Sequence, residues 1–289
     1  MNHIDSNQGF YGTPTASIDW CELNYVYSPY IAEFYNTFSS LIISAFGLYG
    51  IWIMMPNFGT GVDKEHIKIL KELDVRNKVI LSYISLIVVG VGSAFYHATL
   101  LYQNQLFDEL PMIYTALIML YIMVTVGEEK TKKGFKGGVL GNSLLRHILP
   151  YLLIAYGLFV TITILVIQDQ PKILQISFGA LVFYVVFHSI YLINKKKPEG
   201  IPSNPDSYLY KYAFVSMLVG FTCWVVERYF CNNGKTFGFQ LHAFWHFFTG
   251  MSTYVWTQFL ICKLLEAKHY CVGIKHTLGL PRIHAIKRF

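Results

Sequence analysis

The chain has 289 residues, 54% of them hydrophobic, 17% aromatic and only 14% charged, with a mean hydropathy of +0.40. That balance excludes an ordinary soluble domain and predicts an all-α, polytopic membrane protein. The net charge of +6 does not point to nucleic acid, because the basic residues follow a membrane topology instead of forming one patch.

Taken in order, residues 1–33 are polar and aromatic, with no Lys or Arg before residue 32, and read as an ordered entry segment. No basic start, short apolar core and small-residue cleavage site is found, so the first span is expected to do the targeting. Apolar runs long enough to cross a bilayer follow at 34–55, 79–101, 109–126, 148–167, 173–193, 212–230 and 241–262, which predicts seven transmembrane helices. No internal repeat or low-complexity stretch divides them, so 34–262 is expected to be one domain and 263–289 a basic tail. All the Lys and Arg except Lys172, Arg228 and Lys235 fall around 56–78, 127–147 and 195–211 or after 262. The positive-inside bias therefore places the C-terminus in the cytosol and the N-terminus on the lumenal or external side, as an odd number of spans requires.

Within this frame three histidines reach one depth. His242 and His246 are four apart at the start of the seventh span, so they share a helix face, close enough to grip one ion. His97 ends the second span on the same lumenal side. Intramembrane histidines are costly unless paired or metal-bound, so the three form a candidate zinc site with one open position. Water bound in such a site is acidic enough to act as a nucleophile near neutral pH, which points to a hydrolase. Asp108, opening the third span, is a candidate proton shuttle, and equally a candidate helix cap. Ser93 lies one turn before His97, where its hydroxyl can stabilise an oxyanion or simply pack in the small-residue stretch Gly90-Val-Gly-Ser-Ala. Glu227 is a candidate to support the ligands.

Asp19, Glu22, Asn24 and Glu33 are hard oxygen ligands of the kind Ca²⁺ takes, although their spacing is not that of an EF-hand, and capping or solvation would also explain them. The five cysteines do not form a disulfide framework; Cys21 and Cys231 fall on the lumenal side, where disulfides persist, and Cys223 and Cys262 read as packing residues. His188, without a partner at i±4 and at another depth, reads as a core histidine.

The strings Ile18-Asp-Trp-Cys-Glu-Leu-Asn-Tyr, Ser28-Pro-Tyr-Ile-Ala-Glu-Phe, Gly92-Ser-Ala-Phe-Tyr-His97, Phe107-Asp-Glu-Leu-Pro-Met112 and His242-Ala-Phe-Trp-His-Phe-Phe-Thr-Gly250 together resemble the alkaline ceramidases, with the first and fourth close to fungal members. The resemblance covers roughly residues 15–262. It implies zinc held by His97, His242 and His246, with Ser93 and Asp108 catalytic. It also implies calcium held by Asp19, Glu22, Asn24, Glu33 and the main-chain oxygen of Trp20, and a disulfide between Cys21 and Cys231. The expected substrate is a ceramide-type lipid reached from the bilayer, and the expected compartment is the endoplasmic reticulum or Golgi. Phe244-Trp245, where relatives commonly carry two tryptophans, and Glu227, where many carry Asp, bear on the lipid pocket and remove no ligand. Two other readings stand beside this one. A receptor of the adiponectin-receptor type would have the opposite orientation, and a receptor or transporter with a structural metal would need a fourth protein ligand.

Overall fold

The computed structural model describes residues 9–55, 64–131, 134–137, 143–167, 171–195, 205–232 and 240–288. Among them the chain forms α1 (Phe34–Trp52), α2 (Lys64–Glu72), α3 (Arg76–Thr99), α4 (Tyr102–Val124), α5 (Ser143–Val166), α6 (Pro171–Asn194), α7 (Pro205–Asn232) and α8 (Leu241–Glu266). Two antiparallel hairpins complete it, β1 (Glu128–Thr131) with β2 (Gly134–Gly137), and β3 (Tyr270–Thr277) with β4 (Leu280–Arg288). Helices α3 to α7 are long and apolar enough to cross a membrane. Their outward residues, among them Tyr151, Phe159, Val166, Ile176 and Phe183, are exposed and apolar, as lipid contact requires. The basic pairs Lys132-Lys133 and Lys196-Lys197 lie outside the described residues.

Several expected boundaries move. Pro171 and Pro205 start α6 and α7 earlier than hydropathy alone predicts, each at the first helical position, where the missing N–H costs nothing. Helix α4 begins at Tyr102, seven residues before the expected 109. Asp108 therefore lies inside the helix and does not cap it; the N-cap is Leu101, with no side-chain bond.

Helix α8 runs through the middle of the bundle and is buried almost without break from Gly250 to Glu266. Its polar residues turn inward: Gln258 donates to the Tyr83 hydroxyl at 2.7 Å, and Ser252 to the Ala213 carbonyl at 2.8 Å. The segment expected as a tail instead folds back as β3–β4 against the foot of this helix. Tyr49 and Tyr254 donate to the carbonyls of Thr277 and Pro281, and the Ile283 N–H donates to Gln258. Apolar Val272, Ile283 and Ala285 face the core while the other face of the hairpin carries the charges, the two-sided pattern of an antiparallel ribbon.

Candidate metal centre

Two helix ends build the site. The last turn of α3 supplies His97 and the first turns of α8 supply His242 and His246. Their ring centroids lie 5.1, 5.1 and 4.5 Å apart, and one ring nitrogen from each falls within 4.8 Å of the others. All three are buried. The set contains no carboxylate, so the expected three-histidine group is present and Asp108 is not among its nearest atoms.

Neighbouring residues fix each ring. A Glu33 carboxylate oxygen bonds His97 Nδ1, and Ser39 Oγ lies 2.8 Å from His246 Nδ1. The Trp20 indole stacks on the His242 ring at 3.7 Å and 22°. Glu227 accepts the backbone N–H of His242 at 2.5 Å, so an acid from α7 caps the helix that carries two of the imidazoles. With these bonds made, His97 Nε2 and His242 Nδ1 remain buried without a hydrogen-bond partner. Orphaned imidazole nitrogens converging in one place, with other ring atoms held by a carboxylate and a hydroxyl, fit a metal ion.

Ser93, one turn before His97, accepts from Ser40 at 3.0 Å, and the Asp108 carboxyl lies close to the Ser93 hydroxyl. The pairing depends on a close helix crossing. Pro111 lacks an N–H, so the carbonyl of Phe107 loses its helical partner. Gly92 of α3 packs onto that carbonyl, and a Cβ there would stand 1.9 Å from the oxygen. The proline frees the carbonyl and the glycine admits it; together they bring Asp108 to Ser93.

The entry segment lies against the same end of the bundle. Leu100 ends α3 in the left-handed region (φ 50°), and its carbonyl accepts from the N–H groups of Thr15 and Ala16. The Glu33 N–H donates to the His97 carbonyl. Of the expected calcium ligands, Glu22 spends both carboxylate oxygens on the N–H groups of Tyr35 and Asn36, in the first turn of α1. That is a capping role. Glu33 accepts from the Trp20 N–H and from Asn36 as well as meeting His97. Asn24 donates to both oxygens of Asp19 at 3.3 and 3.4 Å, while its own Oδ1 is buried with no partner. Burial pushes the carboxyl groups of Asp19, Glu22 and Glu33 up to about 7, and for Asp19 and Glu22 the neighbouring Glu33 adds to the shift. Three crowded acids and an orphaned amide oxygen suit a hard cation, although these carboxylates are not drawn together as closely as the imidazoles. Cys21 and Cys231 are joined, tying the entry segment to the end of α7. His188 sits between Tyr184 and Tyr191, with ring centroids 5.4 and 5.5 Å away, outside the three-histidine group.

Sequence reasoning missed Ser39, Ser40, the ring of Trp20 and the contact of Glu33 with His97. A signal existed. Glu33, Asn36, Ser40, Ser44 and Gly47 recur at three- and four-residue steps through an apolar run, a polar stripe that has to face protein.

A family model described as Ceramidase matches residues 12–276. A Dictyostelium discoideum protein provisionally named alkaline ceramidase dcd3A is 95% identical over the full length of both chains. Alkaline ceramidase 3 of Mus musculus is 32% identical over 94% of this chain and 93% of its own. Alkaline ceramidase YPC1 of Saccharomyces cerevisiae is 27% identical over 85% of this chain and 76% of its own, so the likeness to the yeast protein is lower than to the mouse one. With its histidine group built as described and a family model covering most of its length, the chain belongs to the ceramidase family.

Proposed function

We propose that this protein is a zinc-dependent amidase that cleaves the N-acyl bond of ceramides to a sphingoid base and a fatty acid. The observation that carries the reading is the buried triangle of His97, His242 and His246 beside the Ser93–Asp108 pair, inside an apolar helical bundle. When bound there, zinc supplies a Lewis acid and lowers the pKa of water. Glu33 and Ser39 hold the rings of His97 and His246 at their far nitrogens, and Glu227 holds the start of α8. The Ser93 hydroxyl serves the developing oxyanion of the amide carbonyl. Asp108 takes a proton at its carboxylate and returns it to the departing amine, a role worth about 10²–10⁴-fold. Ceramide enters sideways from the bilayer.

The same reading assigns calcium to Asp19, Trp20, Glu22, Asn24 and Glu33, with Glu33 shared between the entry segment and His97. It also assigns seven spans, α1 and α3 to α8. At 19 and 26 residues, α1 and α8 reach about 28 and 39 Å; α8 exceeds a hydrocarbon core of about 30 Å, and α1 falls within the range of roughly 17–25 residues that spans one. Their inward polar stripes lower the hydropathy without wetting the lipid face. Residues 1–33 are then lumenal, 34–262 form the catalytic bundle, and 263–289 are cytosolic, in the endoplasmic reticulum or Golgi. The test is mass spectrometry after incubating the purified protein with mixed ceramides. Release of sphingoid base and fatty acid in equal amounts is expected; intact ceramides with a metal-loaded protein would overturn the reading.

A further inference from the structure

From Lys268 to Arg288 the chain carries five Lys or Arg and no Asp or Glu. The β3–β4 register sets Lys275 directly opposite Arg282 and Gly273 opposite His284, so these residues share one face of the hairpin, opposite to the face that carries Val272, Ile283 and Ala285. Like charges directly opposite destabilise a ribbon. Lys275 is exposed, but Arg282 is only 5% exposed, and its Nε and Nη1 have no hydrogen-bond partner.

Among the described residues no acid is seen paired with it. Among the described residues, the acids at the foot of α7 and α8, Asp206 and Glu266, are both committed to Lys263 at 3.0 and 2.8 Å. Asp74 lies 3.7 Å from Lys78, and Glu72 lies 3.9 Å from Lys68. Tyr49 and Tyr254, which feel the Arg282 charge, direct their protons to hairpin carbonyls. A buried guanidinium without a counter-charge is strongly unfavourable, yet here it lies at the seam between the hairpin and the central helix.

We propose that Arg282, with Lys275 across the ribbon, forms a binding site for a phosphate group, either free phosphate or the headgroup of an anionic lipid. A planar guanidinium matches tetrahedral oxyanions with paired N–H donors, and a second cation opposite favours a multiply charged anion over chloride. Basic segments at a membrane surface also concentrate such headgroups. Occupation of the site fastens the hairpin to α8, because β4 grips that helix through Ile283 on Gln258 and Pro281 on Tyr254.

The test is thermal unfolding of the full chain under two conditions. In phosphate-free micelles, inorganic phosphate is titrated against chloride at matched ionic strength. In nanodiscs, phosphatidylcholine alone is compared with phosphatidylcholine containing phosphatidic acid. The wild type should gain about 3–6 °C per tenfold rise in phosphate above its Kd, or the equivalent gain from phosphatidic acid. A response in micelles identifies free phosphate as sufficient, and a response confined to nanodiscs identifies the lipid. Arg282→Gln should abolish the gain, Arg282→Lys and Lys275→Gln should weaken binding about tenfold, and Lys172→Gln, on α6, should leave it unchanged. If Arg282→Gln does not fold, exposed Lys275 carries the test. No gain in either condition, or equal gains in wild type, Arg282→Lys and Lys275→Gln, would overturn the proposal.

Discussion

Glu33 is the residue through which most of the site passes. Its N–H meets the His97 carbonyl, one carboxylate oxygen meets the Trp20 N–H, and the other meets both Asn36 and His97 Nδ1. Removing such an outer partner of a metal ligand typically costs 10–100-fold in metal affinity. Glu33→Gln is therefore expected to weaken metal binding at the histidines by about that factor, measured by competition with a chelator of known affinity. Unchanged affinity would reduce Glu33 to a packing role. The acids Asp19, Glu22 and Glu33 also set a pH dependence. Burial raises their folded-state values to about 7, above the unfolded range of about 4, so the cation-free protein binds more protons folded than unfolded. Its stability should fall as pH rises from about 4 through 7. Added Ca²⁺ should flatten that slope in thermal unfolding, and an identical slope with and without Ca²⁺ would leave Glu22 a helix cap and nothing more. The three histidines were legible in the sequence because depth and spacing agreed. The polar stripe that starts at Glu33 shows that it faces protein, but not that its partner is His97, 64 positions away.

At the scale of elements, helix ends do most of the positioning. The C-terminus of α3, the second turn of α4 and the N-terminus of α8 meet, and Gly92 sets how closely α4 approaches. Gly92→Ala places a methyl group into the Phe107 carbonyl, where backbone has to move. The expected result is loss of ceramide turnover by about tenfold or more with metal content retained, since the three histidines sit on α3 and α8 while the displaced acid sits on α4. A misplacement of about 1 Å costs that much or more. Full activity in this variant would mean that Asp108 works at a distance from Ser93 that the crossing does not control. Hydropathy located α3 to α7 but started α4 seven residues late, because Asn104, Gln105 and Asp108, which are wholly or partly buried, depress the average over its first two turns. That error made Asp108 resemble a cap. The same blindness hid the β3–β4 hairpin, whose alternation is diluted by basic residues and whose apolar face is complete only against α8.

At the scale of the whole molecule, α3 to α7 qualify as spans on composition alone, and α1 and α8 join them in the proposed topology because their polar residues are buried inside the bundle. Glycosylation tags should then be modified at the N-terminus and not at the C-terminus; the reverse pattern would move the histidine group to the cytosolic side. In the proposed mechanism the imidazoles hold the metal while Asp108 moves the proton. This is tested most directly by measuring zinc content and ceramide hydrolysis on the same purified samples of wild type, His97→Ala and Asp108→Asn. His97→Ala should lose zinc and activity together, because two imidazoles hold the ion poorly. Asp108→Asn should keep one zinc per chain and lose turnover by about 10²–10⁴-fold. Full turnover in Asp108→Asn would remove the proton-transfer role from Asp108, and zinc lost from it would make Asp108 a ligand.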